Sequence, residues 1–340
     1  MRAMVTFGGG LAEPAKQVVL RTAKNLSGIF DKVYVGRYSF EALYTPEFIC
    51  EYNNEFVSIA EGKRGSFFGT CRGIDLCDPI RFQRAIFCLK HFGITTLIVE
   101  GGDGSSRLVA ETVEKFNDHG INVIFPIPMT IDGIEGGESV GIREAVRLSI
   151  RDTEDMVATS LNTRDLEAFG VVVIRLQGRN RDDIMANVLK HFDINGKIAD
   201  FPLDEILIKA IPANYPVSYE RLIQEVNSSY KRTLILLSEG SSISIESLQR
   251  DIKRKVRSFE VGHRSQANGL TTDEDKLYYD KWVDKACEFI RAEPFGNYCL
   301  AKIGEEIFKR PIDYYARLNP KENQKATLSR ELEDLLKEYM

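Results

Sequence analysis

Short apolar runs recur along the chain, each closing on a glycine-containing turn and followed by a stretch with apolar residues at every third or fourth position. Parallel sheets covered on both faces are built from such continuous runs, and the amphipathic stretches between them read as the covering helices. The pattern predicts strands at 4–7, 32–35, 95–100, 122–127, 170–176 and 233–237, and helices at 14–24, 80–92, 106–119, 139–161 and 182–191. This alternation predicts an α/β protein with mainly parallel sheets flanked by helices, a second α/β lobe following the first. The Ser- and Gly-rich stretch 240–245 reads as a loop, and the charged end of the chain closes in a helix at 331–339 with few apolar anchors. No internal repeat is visible.

Composition changes this picture little. Hydrophobic residues at 43% and charged residues at 28% are ordinary globular usage, so disorder is not expected. A net charge of −5 argues against broad contact with nucleic acid or an anionic membrane, since both favour a basic surface. No apolar run approaches the ~20 residues that span a bilayer, and the opening residues enter a glycine turn instead of a secretory core, so a cytoplasmic protein is expected. Cys50, Cys71, Cys77, Cys88, Cys287 and Cys299 form no C-x-x-C pair and read as buried free thiols in a reducing compartment. His91, His119, His191 and His263 show no metal-ligand spacing, so no protein-bound transition metal is expected.

The candidate chemistry sits at predicted strand ends, where open α/β sheets place ligands. Gly101-Gly102-Asp103-Gly104-Ser105 leads from a strand into a helix: glycines let backbone approach phosphate, amides and the helix N-terminus favour an anion, and Asp103 can hold Mg²⁺ on the phosphates. The same residues also read as a tight turn with Asp103 as a helix cap. Thr130-Ile131-Asp132 follows the next strand; Asp132 is a candidate base for an acceptor hydroxyl and Thr130 a hydrogen-bonding group for the phosphoryl, or Asp132 is an ordinary loop aspartate.

Gly-Gly-Asp-Gly-Ser followed by Pro-x-Thr-Ile-Asp resembles the signature order of the phosphofructokinase family. Upstream, Gly65-Ser66-Phe67-Phe68-Gly69-Thr70-Cys71-Arg72 is similar to that family's glycine-rich stretch ending in arginine. Downstream, Gln177-Gly178-Arg179, Ser238-Glu239-Gly240, Arg257 with Gly262-His263, and Lys309-Arg310-Pro311 resemble its later landmarks in order. The resemblance implies two Rossmann-like lobes: a nucleotide-binding lobe of 1–142 plus about 266–320, and an acceptor-binding lobe of 143–265 plus about 321–340. It implies an ATP site of Gly9, Arg72, Gly102, Asp103, Gly104 and Ser105, with Asp103 near Mg²⁺. The implied acceptor site is Thr130, Asp132, Gly178, Arg179, Glu239, Arg257 and His263, and the implied catalytic residues are Asp132, Thr130 and Arg72. Arg72 suits a clamp on the transferring phosphoryl as negative charge spreads over its oxygens. The expected partners are a nucleotide and a sugar-type acceptor, in a homo-oligomer, dimer or tetramer, because family members borrow clamp arginines from a neighbouring subunit.

Members that use pyrophosphate typically have Asp where this chain has Gly104 and Lys where it has Met129, so ATP is the expected donor. The chain also departs from the family on the acceptor side. Its usual phosphate-clamping arginines fall on Gly170 and Gln266, with Arg164 or Arg264 as possible replacements. Its second carboxylate after Thr-Ile-Asp falls on Ile134, with Glu135 nearby, and Gly10 replaces an aspartate. The alternatives are a kinase of the same fold for a non-phosphorylated sugar, polyol or nucleoside-like alcohol, or a catalytically silent nucleotide-binding relative. An NAD-dependent oxidoreductase is disfavoured because Gly8-Gly9-Gly10-Leu11-Ala12-Glu13 lacks the last glycine of the dinucleotide fingerprint. A lipid or NAD kinase sharing only the Gly-Gly-Asp-Gly loop would lack the later landmarks.

Overall fold

Every residue of the run Thr96–Gly101 is buried, and six of seven in Arg2–Gly8, as expected for strands covered on both faces. The computed structural model describes residues 1–8, 13–61, 67–69, 71, 75–130, 138–161, 170–178, 181–261, 271–318 and 328–340. In chain order its strands are β1 (Arg2–Gly8), β2 (Lys32–Gly36), β3 (Ile49–Glu51), β4 (Thr96–Gly101), β5 (Asn122–Phe125) and β6 (Val171–Leu176). These are followed by β7 (Lys197–Ile198), β8 (Phe201–Pro202), β9 (Ile206–Ile211), β10 (Arg232–Ser238), β11 (Val256–Glu260), β12 (Tyr298–Ile303) and β13 (Glu306–Pro311).

The chain divides into two compact units, Met1–Gly141 with Gln266–Asn323, and Ile142–Ser265 with Gln324–Met340. The sheet of the first has the order β13-β12-β5-β4-β1-β2-β3. Its five inner strands are parallel, and the edges β3 and β13 pair antiparallel. Successive side chains point to opposite faces. Ala3, Val5 and Ile98 therefore pack with the helices Glu13–Leu26 and Asp273–Ala292, while Met4, Leu97 and Val99 pack with Pro79–His91 and Asp103–Asp118. The second unit repeats this plan on a parallel sheet of order β11-β6-β10-β9, with Val172, Ile174, Leu234 and Leu236 on one face and Val171, Val173, Ile235 and Leu237 on the other.

Three features differ from the sequence pattern. The long helix starts at Ile142 and not at 139, because Ser139 and Val140 bond back to Thr130 and Pro128 before the chain turns at Gly141 with φ 110°. The helix after β4 starts at Asp103, three residues early. The C-terminal helix Arg330–Tyr339 is better anchored than its charge suggests: Leu336 is fully buried and Leu335 and Tyr339 join the same core, one stripe at helical spacing. The cysteines are all free, but only Cys88, Cys287 and Cys299 are buried; Cys77 is exposed beside Glu111. Among the described residues no helix is long and apolar enough to cross a membrane.

Glu100 is an exception inside this core. It is fully buried on β4, one residue before the glycine turn, where one carboxyl oxygen accepts from Thr22 Oγ1 at 2.6 Å and the other has no hydrogen-bond partner among the described residues. Burial pushes its carboxyl up to about 8. Unfolded, the group ionises near its ordinary value, so between the two pKa values the folded chain holds a proton that the unfolded chain has released. Stability is full below the lower value and falls as pH rises toward about 8. Glu100→Gln is expected to stabilise the fold, with a gain that grows between about pH 5 and pH 8 and then levels off; urea unfolding at a series of pH values measures this, and a pH-independent difference contradicts it.

Candidate active site

The carboxyl ends of β1, β4 and β5 are laced together through backbone. Gly102 N–H donates to Gly8 C=O at 3.3 Å, Met129 N–H donates to Gly101 C=O at 2.7 Å, and Gly101 bridges Pro128 in parallel fashion. Such closeness needs glycine. A Cβ on Gly101 would fall on the Gly8 carbonyl oxygen, and one on Gly102 would lie 3.0 Å from Thr130 Cβ. Ser105 is buried with its hydroxyl turned toward Gly8 and Gly101. Gly104 is different: among the described residues a Cβ there would meet nothing within 4 Å.

Gly102 is the N-cap of the helix Asp103–Asp118, which has no side-chain cap. Ser105 N–H and Ser106 N–H already bond the Gly102 carbonyl, while the amides of Asp103 and Gly104 lie ahead of the first intrahelical acceptor. The helix therefore offers N–H groups and the positive end of its dipole at the turn. Asp103 is largely buried there and forms an ion pair with Arg107 one helical turn on. Arg107 belongs to none of the motifs read from the sequence; its i,i+4 spacing from Asp103 signals a pair only once the helix is known to start at Asp103 and not at 106. Among the described residues no group of three or more His, Cys, Asp or Glu could hold a metal ion. Asp103 is the one carboxylate at the head of this helix, and its charge is met by Arg107.

Thr130 sits against Gly102, with its N–H donating to Val140 C=O at 3.0 Å and its carbonyl accepting from Ser139 Oγ at 3.0 Å. Met129 packs into the core. Gly102, Asp103, Gly104, Ser105 and Thr130 are accordingly brought together, whereas Gly9, Arg72, Asp132, Ile134 and Glu135 lie outside the described residues.

In the second unit Gly178 and Glu239 meet at the carboxyl ends of β6 and β10: Gly178 N–H donates to Glu239 Oε2 at 3.0 Å, and Gly178 has φ 93°, a conformation that favours glycine. Arg175 supports the turn by donating to the Glu239 carbonyl at 3.3 Å and pairing with Glu260 at 3.0 Å. Arg257 is not brought to this place. It pairs with Val172 in the β11–β6 register, six residues before Gly178, which puts it about 20 Å away along the sheet, toward the amino ends. Gly170 contributes only backbone, its carbonyl accepting from Thr233 N–H at 2.9 Å. Arg179, His263, Gln266, Arg164 and Arg264 lie outside the described residues.

The profile of the family described as Phosphofructokinase matches residues 3–290. Among curated relatives, an ATP-dependent 6-phosphofructokinase of Haemophilus influenzae is 25% identical over 328 residues, covering 91% of each chain. One of Lactococcus lactis is 24% identical over 261 residues, covering 74% of this chain and 69% of its own. Among solved structures, the pyrophosphate-dependent phosphofructokinase of Marinobacter aquaeolei shares the fold with a TM-score of 0.75 at 15% identity, over 99% of this chain and 91% of that one. The T-state phosphofructokinase of Pichia pastoris gives 0.74 at 16% identity over 99% of this chain, which spans only 39% of the Pichia chain.

The two glycines should respond differently to a methyl group. Gly101→Ala is expected to cost about 1–3 kcal/mol of stability, because backbone must move. Gly104→Ala is expected to fold as well as the parent, within about 0.5 kcal/mol, yet to bind ATP more weakly. Chemical denaturation and calorimetric ATP titration check both; equal effects of the two substitutions on stability would contradict the packing argument.

Proposed function

The chain belongs to the phosphofructokinase family and is a phosphofructokinase-like kinase, and from that premise we propose that it transfers the γ-phosphoryl group of ATP to a hydroxyl of fructose 6-phosphate or a related sugar phosphate, with Asp132 as general base. One observation carries the reading: the turns after β1, β4 and β5 are tied by backbone bonds at Gly8, Gly101 and Met129, so a phosphate-binding helix start and the segment leading to Asp132 share one edge of the sheet.

In this mechanism the amides around Gly9, Gly102, Gly104 and Ser105 cradle the phosphates, and the space beside Gly104 admits the nucleotide. Mg²⁺ carried by ATP would be held at Asp103 and would draw negative charge from the phosphate oxygens. Asp132 takes the proton as the acceptor oxygen bonds to the γ-phosphorus and the bond to the ADP oxygen breaks, while Thr130 and Arg72 hold the transferring group. Gly178, Arg179, Glu239, Arg257 and His263 orient the acceptor. Because Arg257 lies far from Gly178 along its own sheet, we assign it to the acceptor of a neighbouring copy in a dimer or tetramer. A glycolytic role accords with the names of the curated relatives, and a cytoplasmic location is part of the proposal.

Gly170 supports a second reading. Where the family places a phosphate-clamping arginine the chain has no side chain, and losing a charge-assisted bond costs roughly 1.5–3 kcal/mol, which favours an acceptor without a phosphate such as a sugar, polyol or nucleoside-like alcohol.

Asp132→Ala is expected to lower kcat about 10²–10⁴-fold with little change in KM for ATP. ADP release with Mg²⁺, measured across fructose 6-phosphate, other sugar phosphates and unphosphorylated alcohols, with pyrophosphate as the competing donor, tests both readings. An Asp132→Ala enzyme as fast as the parent, or a preference for pyrophosphate, would sink the proposed mechanism.

A further inference from the structure

Glu100 lies inside the first unit immediately ahead of the glycine turn, and among the described residues no cation pairs with it. It stands beside Phe7 in the β1–β4 register. The next pair, Gly101 with Gly8, is the corner where Gly102 N–H bonds the Gly8 carbonyl and Met129 N–H bonds the Gly101 carbonyl. The Glu100 side chain leaves the sheet on the face of Ile98, where Thr22 of the helix Glu13–Leu26, itself buried, donates to it at 2.6 Å.

The groups facing it from each packed element favour the neutral acid. From the helix Asp273–Ala292 comes Cys287, whose own thiol burial pushes up to about 12. On Glu13–Leu26, next to Thr22, Arg21 is engaged by Asp284, to which it donates at 3.0 and 2.8 Å, and Asn25 donates to the same carboxylate at 2.7 Å. β1 sets Phe7 beside Glu100, and β5 carries no charged residue. An apolar side chain would serve packing alone at lower cost. What the carboxyl adds is a bond from the strand end to the helix, in a place that tolerates the group only while it keeps its proton. Ionised, it is a buried anion with one hydroxyl donor and no counter-ion, a cost the fold relieves by letting water between helix and strand.

We propose that Glu100, as a neutral acid, is a positioning residue for the nucleotide: bonded to Thr22 it seats the end of β4 against the helix Glu13–Leu26 and so sets the turn Gly101–Ser105, and loss of its proton loosens that turn and weakens ATP binding. This rests on the reading of the turn as the phosphate site. The link is short, because the peptide that follows Glu100 is the one whose carbonyl and register partner close the corner.

The test titrates MgATP calorimetrically into the full-length parent, Glu100→Gln and Thr22→Val between about pH 6.5 and about pH 9.5, in two buffers of different ionisation heat. In the parent the Kd is expected to rise about tenfold over this range with its midpoint near about 8, whereas in Glu100→Gln it stays within about twofold. By reciprocity the parent takes up protons as ATP binds near that pH, and Glu100→Gln does not. Thr22→Val removes the one donor to the ionised form and is expected to move the midpoint upward. Amide hydrogen exchange needs no nucleotide: over 100–106 the parent should lose protection relative to Glu100→Gln at about pH 9 and match it at about pH 6.5, with 206–238 unchanged. Equal pH profiles of ATP binding in the parent and Glu100→Gln, or equal protection over 100–106 at about pH 9, overturn the proposal. Should Glu100→Gln fail to fold, Thr22→Val decides, since a midpoint that stays or falls overturns it. No ATP binding by any of the proteins at any pH removes the nucleotide reading and the proposal together, whereas binding that ignores pH in parent and variants alike removes only the role of Glu100.

Discussion

The backbone contact between the ends of β1 and β4 sets the geometry of everything around it. With no side chain at Gly8, Gly101 or Gly102, three strand ends approach until carbonyl and amide of adjacent turns bond directly, and Thr130 closes over Gly102. A helix beginning at the very next residue then turns its leading amides into that corner. The chemistry proposed for the chain needs phosphate oxygens close to backbone and a carboxylate beside them, and a corner filled by methyl groups would provide neither.

Much of the first unit was legible because its strands are uniformly apolar and its turns are glycine-rich: 95–100 and 122–127 overlap β4 and β5 closely. The helix Asp273–Ala292 was as legible in principle, since Tyr279, Trp282, Val283, Ala286 and Ile290 form one buried stripe, but its acidic and basic residues mask that stripe in a plain reading of polarity. The start of the long helix at Ile142 was not legible, because propensity cannot foresee that Ser139 and Val140 find partners across the turn at Thr130 and Pro128. At the candidate site, the glycine turn could be read from residue types, whereas the bond from Gly178 N–H to Glu239 could not: the two lie 61 positions apart, and only folding brings them together. Arg257 teaches the opposite lesson, a motif residue whose register in the sheet carries it away from Gly178.

The nature of the phosphoryl donor lies below the level of the fold. The Marinobacter aquaeolei enzyme of this architecture is named for pyrophosphate, and the relatives from Haemophilus influenzae and Lactococcus lactis are named for ATP. The sheet is common to this fold, so discrimination has to come from individual positions; in the proposed mechanism these are Gly104, beside which no described residue lies within 4 Å of an added Cβ, and Met129, which spends its side chain in the core and offers no cation.

Asp103 and Arg107 compensate one another at the mouth of the glycine turn. The guanidinium one helical turn along neutralises a carboxylate that burial would otherwise leave uncompensated beside the glycines. In the proposed mechanism a metal at Asp103 would take over that task, and Arg107 would then be left to meet the phosphate oxygens arriving with it.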